Sequence, residues 1–278
     1  MIKKMVLILG IFFMCVNGLH AQEETEQKFE GFNLQGYTNE GVKAWNVNGD
    51  TADIIGNEIK INNVDADTYG EQVMNLKAGT GTVDQVSGNM FLETDVVITS
   101  ETGTQLITDS LDWNRDKDLV TTKDNVTITD NAKGMVITGT GMKAQPGLNT
   151  AQINENVTAM IDTEMNEAEA EKKIVTITCD GPMIINRMEG KATFSDNVVA
   201  VQNDQTLKAD RLEIYFNLED SAIRELIGLG NVVVIRGENE TYAQKLVYNV
   251  ITEKMVLSGR PKLILLTEGE NAITAPGN

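Results

Sequence analysis

The chain has 278 residues, 41% of them hydrophobic, and 41 acidic against 23 basic residues give it a net charge of -18 at pH 7. Nucleic acids and anionic membrane surfaces attract cationic proteins, so this charge argues against both as partners. The hydrophobic content is ample for a core, and the length allows one elongated domain or two smaller ones.

The first residues have the pattern of a secretory signal peptide. Lys3 and Lys4 precede a nearly uncharged apolar run over residues 5–19, and the small residue Ala21 follows it. We therefore expect residues 1–21 to be a signal peptide that is cleaved after Ala21. The alternative is an uncleaved inner-membrane anchor, because the run is only slightly shorter than the roughly 20 residues that span a membrane.

Export would remove the residues that most often build catalytic and metal sites. The only histidine, His20, and one of the two cysteines, Cys15, lie before the expected cleavage site, which leaves Cys179 as the single cysteine. Without histidine, Ser-His-Asp and Cys-His arrangements and His-based zinc sites cannot form. We therefore predict a protein that is not an enzyme and has no cofactor, in which Cys179 is a small buried residue.

The rest of the chain has the composition of one β-strand after another. Short segments rich in Val, Ile and Thr are separated by Gly, Asn and Asp, as in strands joined by turns. In chain order, these segments cover residues 91–98, 125–129, 135–140, 152–161 and 211–216. The intervening stretch EMNEAEAEKK, residues 164–173, is charged on every side and is predicted to be a solvated linker.

A repeat of about 30 residues runs through these strands. An Asp or Asn followed by Val recurs at Asp95-Val96, Asn125-Val126, Asn156-Val157, Asn197-Val198 and Asn231-Val232. Arg260-Pro261 stands where a further copy would fall, and successive spacings are 30, 31, 41, 34 and 29 residues. The long step contains the charged stretch, which explains its length. Repeats of this length indicate units that are buried against their neighbours.

A longer repeat divides the chain into two modules. The segment from Gly88 resembles the segment from Gly190, and the alignment pairs Leu106 with Leu207 and Asp109 with Asp210. We predict an all-β fold of repeated antiparallel strands with modules at residues 22–163 and 174–266. The linker 164–173 joins them, and a tail follows at residues 267–278.

Strand parity selects the side chains that point inward, because alternate residues of a strand share one face. The candidates are Val96, Ile98, Val126, Ile128, Val136, Met142, Ile153, Val157, Leu212, Ile214, Val232 and Val234. A groove wall and an ordinary core have the same pattern, so both interpretations remain open. We expect Trp45, Trp113 and Tyr242 to be core or cross-strand partners, and Gly139 and Gly141 to form a bulge or bend.

Several segments resemble the OstA-like lipopolysaccharide-transport family. The early segments GYTNEGVKAWNVNGDTADI, TDSLDW, TTKDNVTIT and ITGTGMKA resemble the LptC component. The later segments ATFSDNVVAVQNDQTLKADRLEIYF, GLGNVVVIRG and LSGRPKLIL resemble the LptA component and the related OstA domain. Together they cover roughly residues 32 to 266.

The resemblance implies a β-jellyroll that is open along one side and holds the acyl chains of lipopolysaccharide among the inward residues. In this family, domains join edge to edge into a bridge across the periplasm toward the outer membrane. It therefore implies a periplasmic protein whose partners are lipopolysaccharide and other OstA-like domains, with self-association as a further possibility.

Other functions are compatible with the sequence. One is a structural or adhesive β-solenoid without lipid cargo, and another is a carbohydrate-active β-helix enzyme that uses paired carboxylates. The clustered acidic residues also raise calcium binding, although no loop has the EF-hand pattern and Asp is common in β turns. That cluster comprises Asp65, Asp67, Asp109, Asp112, Asp116 and Asp118.

Overall fold

The computed structural model describes residues 27–38, 40–69, 73–145, 149–162, 174–219 and 222–264. Within them, the chain forms β-strands and one short 3-10 turn, Asn131–Lys133. The strands are β1 (Gln27–Tyr37), β2 (Lys43–Ile55), β3 (Glu58–Thr68), β4 (Met74–Asp84), β5 (Met90–Ser100), β6 (Gln105–Asn114), β7 (Leu119–Asp130), β8 (Met135–Gln145), β9 (Thr150–Asp162), β10 (Ile174–Cys179), β11 (Met183–Asn186), β12 (Lys191–Gln202), β13 (Gln205–Phe216), β14 (Ile223–Arg236), β15 (Asn239–Asn249), β16 (Lys254–Ser258) and β17 (Lys262–Ile264). The predicted signal peptide, linker and tail lie outside the described residues.

All 17 strands belong to one antiparallel sheet. Each strand pairs with the next along the chain, except that β10 and β11 together fill one position between β9 and β12, and β16 and β17 together fill one position beside β15. We call each position in the sheet a rung, and a rung is either one whole strand or one of these two split pairs. The sheet of the described residues has fifteen successive rungs. At about 4.8 Å between neighbouring strands, the sheet extends about 65 Å. Among the described residues the first and last rungs do not pair, so the sheet is open.

Many strands bend near their middle. In β5, Thr94 and Asp95 have positive φ, 68° and 52°, and the register with β6 shifts between Glu93 and Val96. We call the strand halves aligned with residues 96–100 of β5 wall 1, and those aligned with residues 90–93 wall 2. The two split rungs are interrupted at this bend. β10 and β17 therefore lie in wall 1, and β11 and β16 lie in wall 2.

The repeat in the sequence marks this bend. The residue before the recurring Val has a left-handed backbone in four of the five copies, at Asp95, Asn156, Asn197 and Asn231. Asp and Asn tolerate this conformation better than other residues with side chains, and each following Val is at most 2% exposed. The copies fall in every second rung because those strands all run in the same direction. Two further copies, Gly31-Phe32 in β1 and Asn63-Val64 in β3, also have positive φ at the first residue.

The hydrophobic core lies between the two walls. One buried cluster contains Val126 and Ile177 from wall 1 together with Phe194 and Leu212 from wall 2. Every described strand belongs to one sheet, so only the opposite wall can cover these side chains. Leu106 packs against both this cluster and the one toward β1, which makes the core continuous along the molecule. The predicted all-β fold, an open jellyroll of repeated antiparallel strands, is confirmed.

Candidate functional site

An apolar row crosses every rung on the inner face of wall 1. Its members are cross-strand partners, each paired with the one before it. In order from β1, the wall 1 row consists of Leu34, Val47, Ala66, Leu76, Ile98, Leu106, Ile128, Ile137, Ala159, Ile177, Ala200, Leu207, Val234, Thr241 and Leu263. Thr241 is its only polar member.

A second apolar row crosses the inner face of wall 2. It runs from β2 to β16, again through direct cross-strand partners. The wall 2 row consists of Ile54, Ile59, Val83, Met90, Trp113, Val120, Ala144, Ala151, Ile185, Ala192, Ile214, Leu226, Tyr248 and Met255. The two rows make the inner surface of the folded sheet apolar over almost its whole length.

In most strands the burial of the inner side chains falls with distance from the bend, but in β8, β9 and β10 the wall 1 row is itself buried, with Ile137, Ala159 and Ile177 at most 1% exposed. Next to the bend, Val96 is 1% exposed and Leu111 is 2% exposed. Farther out, Ile98 and Ile128 are only partly buried, although they pack against the core. At the last rung, Leu263 is 59% exposed. The inner surface is thus a packed floor flanked by apolar side chains that remain partly accessible.

The outer face of wall 1 is mixed, with threonines beside apolar residues such as Ile107, Val136 and Met160. Thr127, Thr138, Thr158 and Thr178 are direct partners on four neighbouring strands, and each follows or precedes an inward apolar residue. Cross-strand threonines are suited to a solvated face because their methyl groups pack while their hydroxyls meet water. One shallow depression lies around Phe91 and Asp112 and is also lined by Met90 and Trp113 of the wall 2 row, and a second lies around Asp95.

The structure places eleven of the twelve predicted inward residues on the inner face. Eight of these eleven are buried next to the bend or between the walls, namely Val96, Val126, Met142, Ile153, Val157, Leu212, Ile214 and Val232. Ile98, Ile128, Ile214 and Val234 belong to the two inner rows.

The prediction for Val136 is wrong. Ile137, the next residue, is 1% exposed inside the core, and Met135 packs against the same core, so Val136 points to the outer face. The parity argument placed Val136 and Met142 on one face, but the register of β8 with β9 shifts between Thr138 and Thr140. A bulge of this kind reverses the parity beyond it. Sequence reasoning also missed inner residues outside its segments, above all Ile177 in β10.

The singled-out aromatic residues and glycines have structural roles. Trp45 and Trp113 pack on the core of the first seven strands, as predicted. Tyr242 lies on the outer face, where its hydroxyl donates to Glu240, and this hydrogen bond is the main cause that raises the pKa of Tyr242. Gly139 lies at the bend, and a Cβ atom there would come within 2.4 Å of Cγ2 of Ile153.

The described residues hold no group of three or more His, Cys, Asp or Glu side chains that could bind a metal ion. Asp65 and Asp67 both accept hydrogen bonds from the Nδ2 of Asn75, at 2.8 Å and 2.9 Å. Cys179 is buried, and desolvation is the main cause that raises the pKa of its thiol. A protonated, buried thiol is a poor nucleophile.

A charged network lies on the outer face of β12 and β13. Glu213 accepts from Lys191 at 3.1 Å and from Arg211 at 2.8 Å, and the Tyr215 hydroxyl donates to it at 2.9 Å. Burial alone would raise the pKa of Glu213, but these hydrogen bonds and the two positive charges outweigh it and hold the pKa below its ordinary value. The network ties neighbouring strands of the second half together.

Comparison with protein families identifies the first half of this sheet. Residues 18–162, just over half of the chain, match the family described as lipopolysaccharide-assembly, LptC-related. The chain belongs to this family. Residues 176–276 match a second family, described as LptA/(LptD N-terminal domain) LPS transport protein. A search of curated proteins finds no match.

The predicted resemblance, LptC-like first and LptA-like second, is therefore confirmed. The LptC-related match ends at residue 162, the last residue of β9, and the LptA-like match begins inside β10. In the described part of the chain, nine rungs thus lie within the LptC-related match and six at or within the LptA-like match. Among the described residues, no helix is long and apolar enough to cross a membrane.

The two modules share one sheet and one core. β9 pairs with both β10 and β11, from Ile174 opposite Asp162 to Asn186 opposite Thr150. The largest buried cluster contains residues from both sides of this junction. At the junction the wall 1 row passes from Ala159, 0% exposed, to Ile177, 1% exposed. The apolar inner surface is therefore continuous from the LptC-like module into the LptA-like module.

Proposed function

We propose that this protein binds the acyl chains of lipopolysaccharide along the inner surface between its two walls and forms part of a periplasmic bridge toward the outer membrane. The observation that carries the proposal is the pair of apolar rows, which cross the junction between two modules of lipopolysaccharide assembly and transport families. At the junction Ala159 and Ile177 of wall 1 are buried, whereas Ala151 and Ile185 of wall 2 stay partly accessible, so lipid would pass from the first module to the second along wall 2.

Partial burial of the rows supports binding rather than packing alone. Residues next to the bend already have all their neighbours from the opposite wall, whereas Ile98, Ile128 and Leu207 keep part of their surface accessible. Burying this remaining apolar surface against acyl chains would be favourable at about 25 cal/mol per Å². The charge of -18 means that apolar contact, and not pairing with phosphate, must supply most of the attraction.

The proposal is tested by site-specific photo-crosslinking to lipopolysaccharide. A photoreactive residue at Ile128 in the first module and at Leu207 in the second should give lipopolysaccharide adducts. The matched controls are Thr127 and Lys208, the next residues along the same strands, which lie on the outer face and should give none. Equal labelling on both faces would contradict lipid binding between the walls.

The assembly part of the proposal rests on the exposed strand edges. β1 runs over eleven residues without proline and is paired on one side only among the described residues, and such an edge can accept a strand from another domain. The last rung is interrupted before β17, where Pro261 removes one backbone donor. Its edge also leaves apolar Leu263 exposed.

Truncation after Gly259 tests assembly at the last rung. It removes β17, and we expect weaker binding to an LptA-like domain in a pull-down and less self-association by light scattering at several concentrations. If the full-length chain is strictly monomeric and truncation leaves partner binding unchanged, the bridge is wrong, although a soluble lipid carrier would remain possible.

The location of the protein is the last part of the proposal. An export signal at residues 1–21 would place both modules in the periplasm, where lipopolysaccharide must be carried. Mass measurement of the mature N-terminus distinguishes cleavage after Ala21 from an uncleaved anchor. A start at Met1 in the membrane fraction would show that the anchor is retained.

A further inference from the structure

Two buried side-chain polar atoms of the described residues have no hydrogen-bond partner, Oδ1 of Asp53 and Nε1 of Trp113. Asp53 lies on the outer face, since its neighbour Ala52 is buried inside the core. Trp113 lies on the inner face in the wall 2 row, where its cross-strand partners are Met90 and Val120. Of these two atoms, only the indole nitrogen therefore faces the proposed lipid-binding surface.

The indole N-H of Trp113 is a donor that lies between two apolar side chains of the wall 2 row. Its ring packs against the core of the first module, and the side chains on either side in the row, those of Met90 and Val120, offer no acceptor other than the weak thioether of Met90. Buried indole nitrogens usually have a hydrogen-bond partner, because burying a donor without an acceptor is costly. A buried donor that no protein atom satisfies is open to an acceptor from outside the chain, such as a water or a ligand atom.

We propose that the indole N-H of Trp113 binds a carbonyl oxygen of an acyl ester or amide linkage in the first module. This inference rests on the proposed function, since it names the residue that positions the lipid. The methylene groups of an acyl chain can pack against the apolar rows. In an acylated lipid, the carbonyl of the ester or amide linkage is the hydrogen-bond acceptor nearest to those methylene groups. Met90, next to Trp113 in the row, is unbranched and flexible, so its side chain can move to admit the carbonyl.

Proton–nitrogen NMR of the full-length protein labelled at its tryptophan indoles tests this directly. The chain has two tryptophans, so Trp113→Phe assigns the two indole signals and Trp45 is the internal control. Lipopolysaccharide should shift the Trp113 N-H proton downfield, as a new hydrogen bond does. An alkyl maltoside, which has an alkyl chain but no carbonyl, should not produce this downfield shift.

Affinity measurements give the second readout. Trp113→Phe keeps an aromatic ring but removes the donor, and it should weaken lipopolysaccharide binding by about threefold to tenfold, the range for one neutral hydrogen bond. Trp45→Phe, the same change elsewhere in the same core, should change the affinity by less than about twofold. Thermal unfolding of the lipid-free Trp113→Phe protein should show no loss of stability beyond that of Trp45→Phe.

The outcomes separate this inference from the proposed function. If lipopolysaccharide binds but the Trp113 signal does not move downfield, or if both probes move it equally, the carbonyl contact is wrong while lipid binding stands. The same follows if Trp113→Phe binds as tightly as the unchanged protein. If lipopolysaccharide does not bind the unchanged protein at all, the proposed function itself fails.

Discussion

Replacement of Ile177 by alanine is expected to destabilise both modules at once. Ile177 is 1% exposed and lies on β10, the first rung of the LptA-like module, directly beside Ala159 of the LptC-like module. Its partner on the other side, Ala200, is also alanine. Small neighbours on both sides mean that no adjacent side chain in the row can fill the space that the substitution leaves.

The magnitude follows from the removed atoms and the cavity. Three carbon atoms at about 0.8 kcal/mol each give about 2.4 kcal/mol of lost burial. A cavity that cannot collapse adds to this, and isoleucine-to-alanine changes in cores span about 2–5 kcal/mol. We therefore expect Ile177→Ala to lower the free energy of unfolding by about 4 kcal/mol, near the upper end of that range.

Urea unfolding followed by two signals tests this prediction. Both tryptophans, Trp45 and Trp113, lie in the first module, so their fluorescence reports on the module that does not contain the substitution, while circular dichroism reports on all strands. Both transitions should shift together. Ile107→Ala, on the outer face where the side chain is 43% exposed, is the control and should cost less than about 1 kcal/mol. An unchanged tryptophan transition in Ile177→Ala would refute the shared core.

Three further predictions concern the bend, the charged network and the lipid. Gly139→Ala should cost about 1–3 kcal/mol in thermal unfolding because its new Cβ would overlap Ile153, whereas at Gly228 the nearest atoms would be 3.6 Å away and alanine should be tolerated. Glu213→Gln should lower the free energy of unfolding near neutral pH. The difference in stability between the two proteins should shrink as pH falls below 4.5, the ordinary pKa, and through the lower pKa of the folded state, because Glu213 itself then becomes protonated. A difference in stability that does not depend on pH would contradict the charge network. Lipopolysaccharide affinity should stay nearly constant or rise with added salt, because salt screens repulsion from an acidic protein, and a steep loss would show that cationic contacts dominate.

Much of the fold could be predicted because its repeat is local. The alternation of Val, Ile and Thr with turn residues indicates strands, and an Asp or Asn before Val marks each second rung because a short polar side chain accepts the left-handed backbone at the bend. The copy at Asn63-Val64 carries the same signal and could have been found from the sequence. The Gly31-Phe32 copy could not, since neither residue matches the pattern.

The candidate site was predicted less completely, because the face on which a side chain lies also depends on how neighbouring strands pair. Parity within a strand placed Val126 correctly with Ile128, because the register with β8 does not shift between these two residues. It failed at Val136, since the sequence does not show that the register shifts within β8. It also could not rank the inward residues, and the structure places Val126 in the packed floor and Ile128 on the partly accessible surface.

By itself, the sequence determined the strand composition, the 30-residue repeat and the resemblance to both transport families, because these depend on residues near one another in the chain. Only the tertiary structure decided that the modules form one sheet and that Ala159 meets Ile177 across their junction. It alone also decided that Trp113 has an unpaired N-H inside the fold. These features depend on which strands pair, in which register and under which opposite wall, and that is set by contacts between residues far apart in the chain.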